Sequence, residues 1–345
     1  MRLAVVGNPE NRRVALFRAA VERAGLPAPE IFPWRDVLTS GRVPGPGTLV
    51  RIESPGEDAE VDRLLRELGS GRPAGAAEHG QIVGGAAAFA GLRAALARIE
   101  AGGGRLLSRP ADILTMTDKP RCHALLSAAG VPVPEALGPI DGWAALRASG
   151  WRRVFVKPSH GSSASGVMAV AIAGKRVTAV TSVEVSGGSL FNNLAVRRYD
   201  DEPVIASIVD RLAPDGLHVE RWFPKAALVG RVLDLRVVVI AGRARHVVVR
   251  TSRSPMTNLH LGNARGDVAA VRAAAGEREW AAAMATCERV ADCFPRTGQV
   301  GVDLMFRAGW RGHAVAEVNA FGDLLPGVLA DGQDTYDAQV AACVS

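Results

Sequence analysis

The sequence predicts a mixed α/β fold in which a small lobe with a parallel sheet is followed by a larger two-part module. Three observations indicate this: strand and helix patterns alternate over the first hundred residues, a hairpin near residues 154–172 has a small-residue tip, and a second hairpin near 302–318 carries acidic side chains. A chain of 345 residues can form two or three lobes around one site. We expect these lobes to be residues 1–110, 111–218 and 219–345.

The first lobe follows from alternating apolar strands and amphipathic helices. Residues 1–7 have the pattern of a buried strand and residues 12–24 that of a helix, and the pair repeats at Leu49–Ile52 and 56–68. An alanine-rich helix is predicted over residues 84–100. A β-α-β-α order of this kind is typical of a Rossmann-like lobe.

Polar residues follow the strands of this lobe, where ligands of open α/β sheets usually bind. Arg51, Glu53 and His79 are therefore candidates for contact with a second substrate. An equally good interpretation is that they are loop residues that cap helices.

The first hairpin of the module has features suited to anion binding. Val154–Val156 ends a buried strand, Lys157 follows it, and the return strand begins near Val167. Glycine lets backbone N–H groups approach phosphate oxygens, and serine adds hydroxyl donors. The tip residues with this character are Gly161, Ser162 and Ser163. The pattern matches neither the Walker loop nor the dinucleotide fingerprint, and such a tip alone is also typical of a flexible hairpin.

Lysine usage strengthens the case for Lys157. Arginine supplies nearly all the basic side chains, so a retained lysine suggests that a compact ammonium group is needed at its position. The lysines are Lys119, Lys157, Lys175 and Lys225. We expect Lys175 to be a turn residue and assign no role to Lys225.

The second hairpin carries a candidate metal site. A turn centred on Trp310 places Asp303 opposite Glu317, and Asn319 lies two residues further along the same face. Hard oxygen ligands of this kind suit Mg²⁺, which commonly takes one or two carboxylates together with substrate phosphates. The alternative, a solvated hairpin face, is disfavoured because both acidic residues lie within strongly apolar strands.

These segments resemble the ATP-grasp superfamily of carboxylate–amine ligases, which has a two-subdomain nucleotide-binding module. The resemblance covers residues 111–345 and implies ATP and Mg²⁺ as cofactors, with Mn²⁺ as a possible substitute. Lys157 and its loop resemble the second nucleotide-binding lysine and phosphate-covering loop, and Lys119, in DKPRCHALL, the first lysine. The implied metal ligands are Asp303, Glu317 and Asn319. The implied interdomain hinge, which would contact adenine, contains Glu220, Arg221, Trp222 and Phe223.

Residues 233–263 resemble more closely the branch that attaches glutamate to a ribosomal protein or an amino-group carrier protein. Arg236, Arg250, Asn258 and His260 match its D-[LI]-R and N-L-H motifs. By this resemblance the two arginines hold phosphates or the acyl-phosphate, and Asn258 lies in a loop over the site. A hairpin around residues 241–244 independently predicts Arg236 opposite Arg250 with an anion between them, although a surface arginine pair is the alternative.

The chain departs from that branch near the expected acceptor site. Residues 320–327 read AFGDLLPG, where Ser-Pro-Gly-like residues are common, and Leu261 replaces a frequent basic residue. The chain also resembles an ATP-grasp group of unassigned substrate that occurs in bacterial gene clusters beside peptide-modifying enzymes. The expected function is ATP-dependent amide bond formation on an amino acid or peptide. A small-molecule kinase and a non-catalytic ATP-binding regulatory module are the alternatives.

Composition limits the remaining possibilities. The net charge is +6, without a dense Lys/Arg run or an aromatic-interleaved basic patch, so nucleic acid is not an expected partner. The four cysteines show no metal-binding spacing and suit a reducing cytoplasm. The alanine-rich stretch 84–101 contains charges, so no membrane span is expected. The resemblance leaves a homodimer open, and residues 173–217 receive no predicted role.

Overall fold

The computed structural model describes residues 2–161 and 164–344 and contains three β-sheets flanked by helices. The first sheet has the strand order β2-β1-β3-β4, the second β8-β7-β6-β5-β9, and the third β13-β12-β11-β14-β15 with β10 paired to β11. The strands are β1 Arg2–Val6, β2 Glu30–Phe32, β3 Thr48–Ile52, β4 Arg105–Leu106, β5 Arg153–Pro158, β6 Met168–Ala173, β7 Arg176–Ser186, β8 Ser189–Tyr199, β9 Leu217–Arg221, β10 Ala227–Leu228, β11 Arg231–Ile240, β12 Arg243–Ser252, β13 Ala264–Gly266, β14 Gln299–Phe306 and β15 His313–Asn319. The helices are α1 Arg12–Arg23, α2 Trp34–Thr39, α3 Ala59–Ser70, α4 Gly85–Ala101, α5 Pro110–Thr117, α6 Lys119–Ala128, α7 Trp143–Ala148, α8 Glu202–Leu212, α9 Val268–Ala275, α10 Glu277–Asp292 and α11 Thr335–Val344.

The first sheet is parallel, as the β-α-β-α pattern predicts. Because side chains alternate along a strand, β1 contributes to two cores. Leu3 and Val5 pack with α1 and α11, whereas Ala4 and Val6 face the core shared with α3 and α4. Asn11 begins α1, and its side chain accepts a hydrogen bond from the Arg13 N–H. The shared core of Leu3 and Val5 thus shows that α11 packs on the first sheet beside α1.

Arg51 and Glu53 lie at the end of β3 but do not face an open cleft. Their exposed fractions are 4% and 1%. Arg51 forms ion pairs with Glu53 and with Asp323 of the C-terminal region. The expectation that they contact a second substrate is therefore wrong. Buried charges of this kind are normally paired, and here the partner comes from the far end of the chain.

The second sheet is antiparallel and carries the small-residue tip between β5 and β6. Helix α8 covers one face, with Ile205 and Ile208 packed on Val154 and Val156. The segment 173–217 contains α8 and a long hairpin of β7 and β8, which turns at Gly187 and Gly188 with φ of 52° and 78°. This hairpin was not predicted.

The third sheet holds the acidic hairpin, and α10 packs against it. Trp280 and Cys287 of α10 are buried in the core. Helices α9 and α10 are separated at Gly276, which has a φ of 80°. No helix in the described ranges is both long and apolar enough to cross a membrane.

Candidate active site

A cavity that is open to solvent lies between the second and third sheets, with about 700 Å³ of empty space when its mouth is included. It receives charged side chains from both sheets and from the start of α6. Apolar side chains complete it, mainly from β5, β14 and the segment that follows β9. Its charged lining residues are Lys119, Lys157, Glu220, Lys225, Asp234, Arg250, Asp303 and Glu317, and its apolar and neutral lining residues include Phe155, Gly161, Val167, Phe223, Met256, Thr257, Asn258, Met305 and Ala316.

Lys157 points into this cavity from the end of β5. Its Nζ lies 2.5 Å from Glu220 Oε1 on the neighbouring strand β9 and donates to the Ala316 carbonyl at 3.2 Å. Ala316 is available because a β-bulge near Asp303 removes it from the β14–β15 ladder. The lysine thus connects the second sheet with the acidic hairpin of the third.

Glu220 is buried between two basic groups. Burial would raise the pKa of its carboxyl, but Lys157 and His218 outweigh that effect, so the pKa lies below its ordinary value. For His218 the balance is reversed, because burial lowers its pKa more than Glu220 raises it. We therefore expect an ionised Glu220 and a neutral His218 at neutral pH.

Lys119 is the first residue of α6, which Asp118 caps. Its Nζ donates to the Gly161 carbonyl in the tip at 2.8 Å and lies 3.3 Å from Glu317 Oε1. It therefore contacts both segments that the sequence analysis singled out. The other tip residues proposed for phosphate, Ser162 and Ser163, lie outside the described residues.

Asp303 and Glu317 are directly opposite each other in the β14–β15 pair, as predicted. Asp303 is 3% exposed and is held by two arginines: its Oδ1 lies 2.5 Å from Arg236 Nε, and its Oδ2 lies 3.0 Å from Arg250 Nη2. Burial would raise the pKa of Asp303, but these guanidinium groups outweigh it and lower the pKa. Both carboxylate oxygens of Asp303 are thus paired with guanidinium groups.

The predicted pairing of Arg236 with Arg250 is wrong. Asp234 lies opposite Arg250, and Arg236 lies opposite Val248, because the β11–β12 turn is tight and the ladder shifts at Val238. The two arginines are diagonal neighbours on one face instead. The anion that they share in this structure is the carboxylate of Asp303.

The donor set of the acidic hairpin suits Mg²⁺ in combination with phosphate. Asp303 and Glu317 offer carboxylate oxygens, and Asn319 lies at the end of the same strand, with a buried Nδ2 that has no hydrogen-bond partner among the described residues. Within residues 2–161 and 164–344, no three His, Cys, Asp or Glu side chains form a metal cage. Two carboxylates and one amide leave positions for phosphate oxygens and water, which is the usual coordination of Mg²⁺ with nucleotides.

The comparisons with known proteins give a result at the level of the fold. No protein-family model matches the sequence, and neither does any curated protein. Solved structures do match over nearly the whole chain. A RimK domain protein of ATP-grasp type from Sphaerobacter thermophilus has a TM-score of 0.56 and 16% identity, with 100% of both chains covered. The macrocyclase MdnC from Microcystis aeruginosa, bound with its precursor peptide MdnA, has a TM-score of 0.55 and 12% identity over 100% of both chains.

A third similar structure contains nucleotide and metal. The ATP-grasp ligase PsnB, complexed with a minimal precursor, Mg and ADP, has a TM-score of 0.53 and 17% identity, covering 99% of this chain and 96% of that chain. The RimK domain protein and PsnB are ATP-grasp proteins, and MdnC matches this chain over the same length. The chain has the ATP-grasp fold. The fold predicted from the sequence is thereby confirmed.

Within this ATP-grasp fold, the four predicted hinge residues divide into two pairs. Glu220 and Phe223 line the cavity. Arg221 points outward, where it pairs with Glu135, and Trp222 packs its ring edge against Phe155 at 5.4 Å between centroids. The side chains of Arg221 and Trp222 are not among the cavity lining, so a contact with adenine stays a prediction for them.

The remaining predicted residues also differ in position. Gly161, Asn258 and Arg250 line the cavity, whereas Arg236 and Asn319 are not in the lining. Arg236 contacts Asp303, and Asn319 lies opposite Gly301. Their roles stay predictions. Arg236 nevertheless reaches the site through Asp303, to which it donates from both Nε and Nη2.

A charged network in the cavity lining was not predicted from the sequence. Asp234 accepts from Arg250 Nε at 2.7 Å, from Lys225 Nζ at 3.3 Å and from the Thr257 hydroxyl. Burial would raise the pKa of Asp234, but Arg250 and Lys225 lower it well below the ordinary value. The signal was present in the sequence: an acidic residue inside the apolar strand β11, and a lysine retained in a chain that otherwise uses arginine.

Proposed function

We propose that the protein is an ATP-dependent ligase that activates a carboxylate as an acyl-phosphate and joins it to an amine. The observation that carries this proposal is the convergence of Lys119, Lys157, Asp303 and Glu317 on one cavity in a chain with the ATP-grasp fold. Two lysines suit the phosphates of ATP, and the facing carboxylates suit the metal that accompanies it.

The proposed roles follow the lining of the cavity. Lys119, Lys157 and the amides of the small-residue tip hold the phosphates, and the adenine ring lies against Phe155, Phe223 and Met305. Asp303, Glu317 and Asn319 would hold Mg²⁺, or Mn²⁺ in its place, and the ion would supply positive charge that offsets the charge of the phosphates. These assignments require that Lys119 and Lys157 exchange carboxylate partners for phosphate oxygens.

The chemistry needs no protein nucleophile. An oxygen of the substrate carboxylate attacks the γ-phosphorus of ATP, the bond to the bridging oxygen breaks, and ADP leaves. The amine nitrogen then attacks the acyl carbon, phosphate departs, and the nitrogen loses a proton as the amide forms. Arg236 and Arg250, which contact Asp303, would stabilise charge on the transferred phosphoryl group, and Asn258 of the cavity lining would lie over the site.

A peptide is the substrate class that the comparisons support best. Two of the similar structures contain a precursor or precursor peptide. We propose that this chain likewise acts on a peptide or on an amino acid, and not on nucleic acid. The homodimer, the cytoplasmic location and the division at residues 110 and 218 stay predictions.

The test is ADP release with MgATP against pools of amino acids and peptides. Glu317→Gln is the inactive comparison because it removes a metal-facing charge with little change of shape, and Glu100→Gln on the exposed side of α4 is its matched control. We expect pool-stimulated ADP and phosphate release in the parent and in Glu100→Gln, and its loss in Glu317→Gln. Equal release in both variants, or a phosphorylated product without amide, would contradict the proposal.

A further inference from the structure

A buried cluster of charged and amide side chains connects the first sheet with the segment after β15; we call it the interlobe cluster. It consists of Arg51, Glu53, Gln299, Asp323 and Gln339. Arg51 Nε donates to Glu53 Oε1 at 2.5 Å, and Nη2 donates to Asp323 Oδ2 at 2.5 Å. Its Nη1 donates to the side-chain oxygen of Gln339. One guanidinium group therefore holds three elements of the chain together.

Aromatic rings also contact the flat faces of the Arg51 guanidinium group, in addition to the hydrogen bonds at its edge. The guanidinium carbon lies 4.7 Å from the centroid of the Phe17 ring and 5.3 Å from that of Tyr336. Arg51 is 4% exposed and Asp323 is 1% exposed. A planar donor group between two rings and several acceptors has one productive orientation, which a flexible ammonium group could not reproduce.

Asp323 belongs to the short segment that leads away from the proposed metal ligand Asn319. Its Oδ2 also accepts from Gln299 Nε2 at 2.9 Å and from Gln339 Nε2 at 3.1 Å, and its backbone carbonyl accepts from the Thr335 hydroxyl at 2.8 Å. The carboxylate and the backbone of this residue are thus both held in place. Asp323 fixes the far end of residues 319–323.

The same segment contacts the arginine that holds Asp303. The Gly322 carbonyl accepts from Arg236 Nη1 at 3.2 Å, and Arg236 Nε in turn donates to Asp303. Gly322 packs directly on Gly301 of β14, where an added Cβ would lie 2.7 Å from Gly322 Cα. A displacement of Asp323 would therefore move both the Gly322 carbonyl and Asn319 relative to Asp303.

We propose that Arg51 is a positioning residue for the metal site. By holding Asp323 it fixes residues 319–323, and through them Asn319 and the Arg236–Asp303 pair. This role rests on the proposed function, because the site it positions is the one proposed there for Mg²⁺ with nucleotide. The first lobe would then contribute to metal binding without touching the metal.

The test measures Mn²⁺ binding in the presence of ADP by electron paramagnetic resonance, and ADP binding without metal by calorimetry. Arg51→Lys keeps the charge but loses the fork of donors. We expect the dissociation constant for Mn²⁺ to rise about 10- to 100-fold, the range typical of residues that orient metal ligands. Metal-free ADP binding, which depends on the lysines and the apolar lining, should stay unchanged.

Two further variants keep the test decisive. Asp323→Asn retains an oxygen for the Arg51 bond without the charge, and should weaken Mn²⁺ binding by a smaller factor even if Arg51→Lys fails to fold. Arg23→Gln is the matched control. It also removes a contact between α1 and the C-terminal region, since Arg23 Nη2 lies 2.9 Å from Asp334 and 2.6 Å from Asp337, but it lies outside the interlobe cluster.

The outcomes separate the two proposals. Unchanged Mn²⁺ affinity in both Arg51→Lys and Asp323→Asn would overturn the positioning role alone. An equal loss of metal-free ADP binding, or an equal effect of Arg23→Gln, would overturn it too, by showing a general structural effect. A parent protein that binds no Mn²⁺ with ADP would overturn the proposed function, and the positioning role with it.

Discussion

The pair of Lys157 and Glu220 allows the stability and the nucleotide chemistry of the site to be measured separately. In Lys157→Met, the carboxylate of Glu220 loses a partner 2.5 Å away while it stays buried, at 5% side-chain exposure. Removing one partner of a buried ion pair typically costs about 3–5 kcal/mol. His218 Nε2 lies 3.4 Å from the other Glu220 oxygen and can take up a proton. We therefore expect a loss near the lower limit, about 3 kcal/mol.

Lys157→Met combined with Glu220→Gln removes both charges and should recover most of this stability, because a buried pair replaced on both sides often leaves stability unchanged. ATP binding should not recover. A hydrogen bond to a charged group contributes about 1.5–3 kcal/mol, so loss of the lysine predicts ATP affinity about 10- to 150-fold weaker in both variants.

Urea denaturation gives the free energy of unfolding for the single and double variants, and calorimetry gives ATP affinity. Lys175→Met is the matched control, since Lys175 is exposed in the turn between β6 and β7 and should change neither quantity. Wild-type ATP affinity in the double variant would refute the reasoning, because Lys157 would then serve only as the partner of Glu220. An unchanged free energy of unfolding in Lys157→Met would show that the pair is not buried as described.

Three other predictions concern the elements around the site. Gly301→Ala places a Cβ 2.7 Å from the backbone of the segment after β15, so we expect the free energy of unfolding in urea to fall by about 1–3 kcal/mol and Mn²⁺ binding to weaken. Gly298→Ala is the control, because the nearest atom to its added Cβ is 3.4 Å away and little should change. Equal effects of the two substitutions would contradict this prediction. Asp215→Ala removes the acceptor for the first two backbone N–H groups of α4, which lie 2.9 and 3.2 Å from its carboxylate oxygens. The free energy of unfolding in urea should fall by about 1 kcal/mol. An unchanged free energy of unfolding would show that water replaces this cap. Burial would raise the pKa of Asp234 and Asp323, but their arginine partners outweigh it and lower both pKa values. The stabilisation from these carboxylates is therefore complete above the ordinary pKa of 3.8 and is lost as the pH falls through the lower pKa of the folded state. A free energy of unfolding that stays constant as the pH is lowered from 4 would contradict this.

The sequence allowed the local pairings to be predicted where the turn was clear. The turn around Trp310 sets the register of β14 and β15, and Asp303 lies opposite Glu317 as expected. For β11 and β12 the predicted turn was two residues too long, because Ala241 and Gly242, with φ of 48° and 75°, form it alone. The prediction therefore placed Arg236 and Arg250 on the correct face of the sheet but opposite the wrong residues. A register error of two residues leaves each side chain on the same face.

Other features depend on contacts that no local pattern contains. Arg51 and Asp323 are 272 residues apart, and they meet where α11 packs on the first sheet. The β7–β8 hairpin was missed because its outer strand mixes polar and apolar residues without clear alternation. Lys225 and Asp234 each stood out locally, but their pairing, and their shared contact with Thr257, are visible only in the structure.

The ion pairs within the site have a consequence for how a nucleotide would arrive. In and beside the cavity, the described residues supply five positive side chains and four negative ones. The positive residues are Lys119, Lys157, Lys225, Arg236 and Arg250, and the negative ones are Glu220, Asp234, Asp303 and Glu317. Their sum is a single positive charge, so the cleft exerts little attraction at a distance on a polyanion. Ionic strength should then have a small effect on the rate of association, and discrimination between nucleotides would be expressed in how slowly each one leaves.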